Sequence, residues 1–366
     1  MSELQKTFEN LLCPPGNGVY TVNTAKERKQ KVHQLLYPKA NTTEDIEKTW
    51  KNSFQEIGNQ KYFLFGIASD CGAGIVRGSN WGPLFLREKM HQDFPQVMQQ
   101  IHDLGDVRVV PHLLHDKYLN EETINNCREQ LYGNSNNNFP VAPLSMAELF
   151  LDQFYEENPN AIVYGLGGDH SVSYPLVKSY LKKQKKKGVN TALIHFDAHT
   201  DLLDSRLGID LCFGTWTYHV LDDLASSDHI IQLGIRSSGK DRNHWENKFQ
   251  MKQYWSHEIL NANLDDFSQK VVDHLKQIQV EEIYISFDID AIDAGYASAT
   301  GTPEIGGLEP HHAIAIINKL RENFLISGAD MVEVAPFVSY PDIEAKSQEP
   351  GNTLTSACSI LANMMP

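Results

Sequence analysis

The chain has 366 residues, 41% hydrophobic and 22% charged, values ordinary for a globular protein. Its formal net charge of -15 makes nucleic acid and anionic membrane surfaces poor partners and mildly favours a cationic small molecule. No stretch approaches the roughly 18–20 apolar residues that span a bilayer, and the opening MSELQKTFEN lacks a signal-peptide pattern, so a cytoplasmic location is expected.

Residues 1–60 read as a polar, lysine-rich N-terminal extension, partly helical, with an amphipathic helix predicted over 43–56 and surface packing expected. From residue 61 onward short apolar runs alternate with helical patterns. The predicted strands are 62–67 (YFLFGI), 107–110, 161–165 (AIVYG), 192–196 (ALIHF), 230–235 (IIQLGI), 283–287 (IYISF) and 329–334 (ADMVEV). Continuous hydrophobicity marks strands buried on both faces. Helices are predicted between them, as at 145–156 and 311–323. This alternation predicts one α/β domain, a mostly parallel sheet covered by helices on both faces. The basic run 182–187 (KKQKKK) reads as a solvated helix end. Five scattered cysteines with no Cys-x-x-Cys pair argue against a disulfide scaffold or a structural zinc module.

Two glycine-rich segments imitate nucleotide-binding motifs. GIRSSGKD (234–241) follows a strand, but Asp241 stands where a P-loop needs a hydroxyl. GLGGDH (165–170) places His170 where a dinucleotide fingerprint needs its third glycine.

The chemistry concentrates after three of the predicted strands. Asp197, His199 and Asp201 follow ALIHF, Asp288 and Asp290 follow IYISF, and His170 follows AIVYG. Residues two apart on an extended chain point to the same side. The carboxyl ends of parallel strands open into the crevice that α/β sheets use for ligands. Four carboxylates gathered there would repel unless cations sat among them. Six ligands of this kind exceed one tetrahedral zinc and suit two octahedral-type ions, manganese first and other divalent ions such as nickel after it. Paired ions activate water to a hydroxide nucleophile near neutral pH.

These segments resemble the ureohydrolase family, which includes arginase, agmatinase and related amidine hydrolases. The resemblance rests on GGDHS (167–171), FDAHTDL (196–202), SFDIDAID with ATGTPEIGGL (286–308) and VEVAP (332–336). Weaker similarity extends from about residue 63 to the C-terminus, through WGPLFLRE (81–88) and IQLGIRS (231–237), and leaves residues 1–60 outside. It implies a three-layer α/β/α sandwich with a sheet of about eight strands, a catalytic domain over 61–366, two manganese ions per chain, and a homo-oligomer, trimer or hexamer. By the same resemblance Asp197 and Asp288 bridge the metals, His170 and Asp201 each bind one, and His199 and Asp290 complete the shells. Glu333 matches the acid that pairs with the substrate guanidinium, and Thr302 a residue lining the same pocket. The implied reaction is attack of hydroxide on the guanidinium carbon, releasing urea and an amine.

Two departures from the family pattern concern the substrate. Phe213 stands where arginase and agmatinase carry a proton-shuttling histidine, and phenylalanine carries no proton. That leaves Asp201, Glu333, water or His219 for the leaving amine. Leu203 replaces an asparagine that binds the α-carboxylate of arginine, which argues against arginine itself. Together Phe213 and Leu203 predict an apolar site mouth, to which Trp216 and Tyr218 would add. Ala294 replaces a proline common after the aspartate matching Asp293, a change confined to its loop. The leading expectation is an agmatinase-like hydrolase of a small cationic guanidino or amidine substrate. Its alternatives are a formimidoylglutamate hydrolase, with Arg77, Arg206 or Arg236 meeting the carboxylates, a hydrolase of guanidine or a short guanidino acid, and a non-catalytic metal-binding relative.

Overall fold

A computed structural model describes residues 2–19, 24–340 and 349–366. Among the described residues nine strands form one sheet: Leu12–Cys13 (β1), Tyr62–Ile67 (β2), His102–Val107 (β3), Ile162–Gly167 (β4), Thr191–Phe196 (β5), Ile230–Ile235 (β6), Lys252–Trp255 (β7), Glu282–Asp288 (β8) and Leu325–Val332 (β9). Their order is β1-β3-β2-β4-β9-β8-β5-β6-β7. Only β1 runs antiparallel, pairing Leu12 with Val107 and Cys13 with Asp106.

The sheet separates two apolar layers, as strand alternation requires. Ile162, Tyr164 and Leu166 of β4 and Ile283, Ile285 and Phe287 of β8 pack with helices Gly82–Asp93, Leu264–Gln277, Pro310–Asn323 and Gly351–Met364. Val163 and Tyr284 face the other way, against helices Glu3–Leu11, Pro143–Glu157 and Ser173–Lys187. This is the expected three-layer α/β/α sandwich. Among the described residues no helix is long and apolar enough to cross a membrane.

Two expectations about the sheet are corrected. The strand placed at 107–110 lies earlier, at His102–Val107, and neither β1 nor β7 has a counterpart among the predicted strands. β3 carries Asp103 and Asp106, acids that interrupt an apolar pattern but are buried because Arg87 is buried against both. Asp106 also accepts the backbone N–H groups of Gly16 (2.8 Å) and Gly18 (3.1 Å), which draws the N-terminal segment onto the sheet edge. The buried Glu88 meets Arg28 and Lys31 of helix Lys26–Leu36 in the same region.

Where the first decoy motif lies, Asp241 caps helix Arg242–Phe249, accepting the His244 N–H at 2.8 Å. In the second, a Cβ on Gly168 would fall 1.8 Å from the Ser69 carbonyl oxygen, so the turn after β4 needs glycine. That turn ties three strand ends together: Gly168 N–H donates to Ile67, Asp169 N–H to Ser69, and Glu333 N–H to Gly168.

Candidate metal centre

The four central strands β4, β9, β8 and β5 bring every sequence-predicted ligand to one end of the sheet. Their register makes Phe196 level with Phe287 and Asp288 level with Val332. The acids following β5 and β8 are therefore side by side, with Glu333 one residue past β9. Glu333 (φ 62°) adopts left-handed backbone, which L residues other than Asn and Asp rarely do, and Asp201 (φ 51°) shares that region. Such conformations persist where the surrounding structure enforces them, commonly at functional sites.

Ligand atoms converge in two groups. His170, His195, Asp197 and Asp201 form one, and Asp197, His199 and Asp290 the other, with the atoms of each group within 4.8 Å of one another. Asp288 adds to the first, its Oδ2 lying 3.1 Å from His170 Nδ1. Asp197 belongs to both: Oδ2 is 3.2 Å from His170 Nδ1, and Oδ1 is 3.3 Å from His199 Nδ1. Asp290 Oδ2 is 3.1 Å from His199 Nδ1 and accepts the Thr302 hydroxyl at 3.0 Å. Thr302 thus touches a ligand-type carboxylate directly.

The donor set fits divalent cations. His170 Nδ1 faces carboxylate oxygens of Asp197, Asp201 and Asp288 at 3.1–3.2 Å, yet makes no hydrogen bond. The His170 nitrogen and these three carboxylates converge on a common point. Oxygen and imidazole donors in this proportion suit octahedral-type ions. The two groups, sharing Asp197, make a binuclear metal-binding motif.

Electrostatics agree. Burial, with Asp290 and Asp197 nearby, pushes the Asp288 carboxyl well above its usual range. Burial and Asp197 likewise raise Asp201. Burial and Asp169 raise Glu333 well above the usual carboxyl range. Burial alone would lower the His170 imidazole, but the facing carboxylates outweigh it and raise it well above the ordinary histidine value. Burial opposes ionisation of Asp197, yet His170, His195 and His199 hold that carboxyl well below its usual value. So many buried acids need more positive charge than three imidazoles supply.

Outer contacts orient the ligand-type side chains, and the sequence reading missed them. His170 Nε2 lies 3.2 Å from the Ser286 hydroxyl, which donates to the buried Asp330 at 2.8 Å. Asp330 also accepts from Tyr284 (2.8 Å) and Ser173 (3.1 Å). His199 Nε2 is 3.5 Å from Glu304. His195 bonds to Asp197 Oδ2 over 2.9 Å. Ser286 and His195 each precede an aspartate by two positions on a strand, the one signal that would have found them.

Around the site, Glu333 Oε1 accepts the His170 backbone N–H at 2.9 Å. Phe213 is half-buried, with the Arg206 guanidinium 4.8 Å from its ring centre. Leu203 is 45% exposed. Trp216, expected at the mouth, is fully buried beneath the site, 4.8 Å from the His170 ring. His219 is held by the Asp204 carbonyl at 3.0 Å. Arg236 cannot meet a substrate, because its guanidinium donates to the carbonyls of Gly234, Asp290, Ala291, Ile292, Glu304 and Ile305.

Comparison with known proteins agrees with this geometry. The profile of the Arginase family matches residues 60–365. Guanidinobutyrase of Pseudomonas aeruginosa is 37% identical over 286 residues, 74% of this chain and 77% of that protein. The mitochondrial guanidino acid hydrolase of Homo sapiens is 29% identical over 318 residues, covering 82% and 76%. The native arginase structure from Bacillus caldovelox shares the fold at 20% identity, with a TM-score of 0.63 over 83% of this chain and 98% of that one. With its ligand-type clusters gathered at the strand ends, the chain belongs to the arginase family of metal-dependent hydrolases.

Proposed function

We propose that this protein hydrolyses the guanidino group of a short guanidino acid, releasing urea and an amine, with two manganese ions held by His170, Asp197, His199, Asp201, Asp288 and Asp290. The observation that carries the reaction class is the convergence of two ligand groups on a shared Asp197, with the buried His170 Nδ1 facing three carboxylates yet unpaired. When bound, two divalent cations supply Lewis acidity, which activates water at neutral pH and stabilises developing negative charge.

The chain's own groups bind and orient the substrate. Glu333 is buried at the site with Oε1 fixed by the His170 N–H, and among the described residues no lysine or arginine pairs with it. A guanidinium supplies the missing cation and can grip a carboxylate through two parallel N–H groups. Phe213 narrows the opening and cannot move a proton, and His219 is bound elsewhere. Asp201 is then the group on this wall that holds the proton for the leaving amine, its Oδ2 oriented by the Trp216 N–H at 2.9 Å.

Arg206 favours an acid over agmatine. Its guanidinium stacks on Phe213 and has no carboxylate partner among the described residues. Two similar proteins carry names that denote guanidino acids as substrates. The test is a panel of 4-guanidinobutyrate, agmatine, arginine, formimidoylglutamate and guanidine, with urea, ammonia and formamide measured for each. We expect urea from guanidino acids, and a fall of at least about 10-fold in kcat/KM for them in Arg206→Ala, the scale of a lost charge-assisted contact. Preference for agmatine with no effect of Arg206→Ala overturns the substrate assignment. Release of formamide and glutamate from formimidoylglutamate, with no turnover of the guanidino compounds, overturns the guanidino reading.

A further inference from the structure

Asp197 is joined to the far edge of the sheet by an unbroken series of side-chain hydrogen bonds. Trp255 Nε1 donates to Gln253 Oε1 (3.2 Å), and Gln253 Nε2 donates to Gln232 Oε1 (2.6 Å). Gln232 Nε2 lies 2.9 Å from His195 Nδ1, and His195 Nε2 lies 2.9 Å from Asp197 Oδ2. Gln253, Gln232 and His195 are fully buried, on three adjacent strands β7, β6 and β5. Their alignment follows from register, which pairs Gln253 with Gln232 and Gln232 with His195.

The direction of each bond can be deduced. Gln232 Nε2 also lies 2.7 Å from the Thr200 carbonyl, which only accepts, so the amide nitrogen must face this way. Its second hydrogen then points at His195 Nδ1, which must offer a lone pair. The Thr217 hydroxyl, 3.5 Å from the same nitrogen, is a second donor placed there. The His195 proton therefore sits on Nε2 and is donated to Asp197. His195 lies among the converging ligand atoms, but neither of its nitrogens has a lone pair left for a metal.

We propose that Gln232 and Gln253 are positioning residues. They set the His195 tautomer, and His195 in turn orients Asp197, the carboxylate shared by both ligand groups, so that the chain governs metal affinity. A histidine in the other tautomer would aim a lone pair at the Asp197 carboxylate and push it out of place. Outer contacts of this kind commonly change metal affinity 10–100-fold. The inference rests on the metal-binding reading of Asp197 and is independent of the substrate.

The test compares wild type, Gln232→Met and Gln253→Met, each checked for a cooperative thermal melt. Manganese affinity is measured by calorimetry, and the His195 tautomer by nitrogen-15 NMR of the metal-free protein. We expect wild type to show a protonated Nε2 on His195. Gln232→Met should lose that single tautomer and bind manganese about 10–100-fold more weakly. Gln253→Met, which acts only through Gln232, should move both readouts the same way by less. Wild-type affinity within threefold together with an unchanged His195 tautomer in Gln232→Met overturns the proposal. If Gln232→Met does not fold, the same result in Gln253→Met overturns it. Failure of wild type to bind manganese would instead overturn the metal assignment itself, so the two failures are distinguishable.

Discussion

The Trp216 indole N–H donates to Asp201 Oδ2 over 2.9 Å, the same oxygen that lies 3.2 Å from His170 Nδ1. A residue expected to add to an apolar mouth thus lies beneath the site and orients one of its carboxylates. Trp216→Phe keeps an aromatic ring against His170 and removes the donor. It should weaken metal binding by about 10-fold, the lower end of what outer-shell changes cost. Calorimetric titration with manganese measures this, and an unchanged affinity would show that packing alone keeps Asp201 in place.

Metal removal should destabilise the protein, because it returns Asp197, Asp201, Asp288 and Asp290 to an uncompensated buried cluster. A ligand present at 100 times its Kd stabilises by about 2.7 kcal/mol. Dialysis against a chelator should therefore lower Tm by about 3–4 °C for each ion lost, reversibly on adding manganese. Elemental analysis of the reconstituted protein should find two ions per chain. Asp288→Asn should bind fewer and lose more than about 100-fold in kcat, beyond the range of outer-shell changes. Two ions and near-normal turnover in that variant would remove Asp288 from the ligand set.

Arg87 neutralises Asp103 and Asp106 with all three side chains buried. Arg87→Met would leave two carboxylates together without a cation. Removing one partner of a buried ionic group costs about 3–5 kcal/mol. Asp106 also holds Gly16 and Gly18, so the N-terminal segment should loosen as well. Urea unfolding and limited proteolysis read the two effects. A loss below about 1 kcal/mol with an unchanged cleavage pattern would show that the ionic group is dispensable.

What was legible in the sequence follows from range. β4, β5 and β8 announce themselves as continuous apolar runs, and the acids and histidines beyond them stand at strand-end spacing, so both the fold class and the converging residues can be read locally. β3 could not be read that way. Its acids are stable only because Arg87 arrives from a helix elsewhere in the chain. Asp330 is similar: it looks like an ordinary strand position until register sets it level with Ser286, behind His170. Gln232 and Gln253 are polar residues in strands, and their partners lie across the sheet. Arg206 and Phe213 lie outside the strands and helices, and their contact appears only on folding.

The run KKQKKK ends helix Ser173–Lys187, but its lysines differ in environment. Lys186 pairs with Glu156 on the surface at 2.6 Å, whereas Lys183 is buried. The Lys183 ammonium donates to the Ala161 carbonyl at 3.1 Å and lies over the Tyr155 and Tyr180 rings, and among the described residues no carboxylate pairs with it. Burial therefore pulls its pKa from the usual 10.5 down to about 7. Between these values the unfolded chain carries a proton that the folded chain lacks, so stability rises with pH across that window. The change is on the order of a few kcal/mol, since each tenfold change in proton affinity is worth about 1.36 kcal/mol. Lys183→Met removes the titration while filling the same space. It should be more stable than wild type near pH 7, with the difference narrowing towards pH 10. Urea unfolding of both proteins at several pH values measures the gap, and a gap that stays constant would mean that Lys183 is already charged in the folded protein.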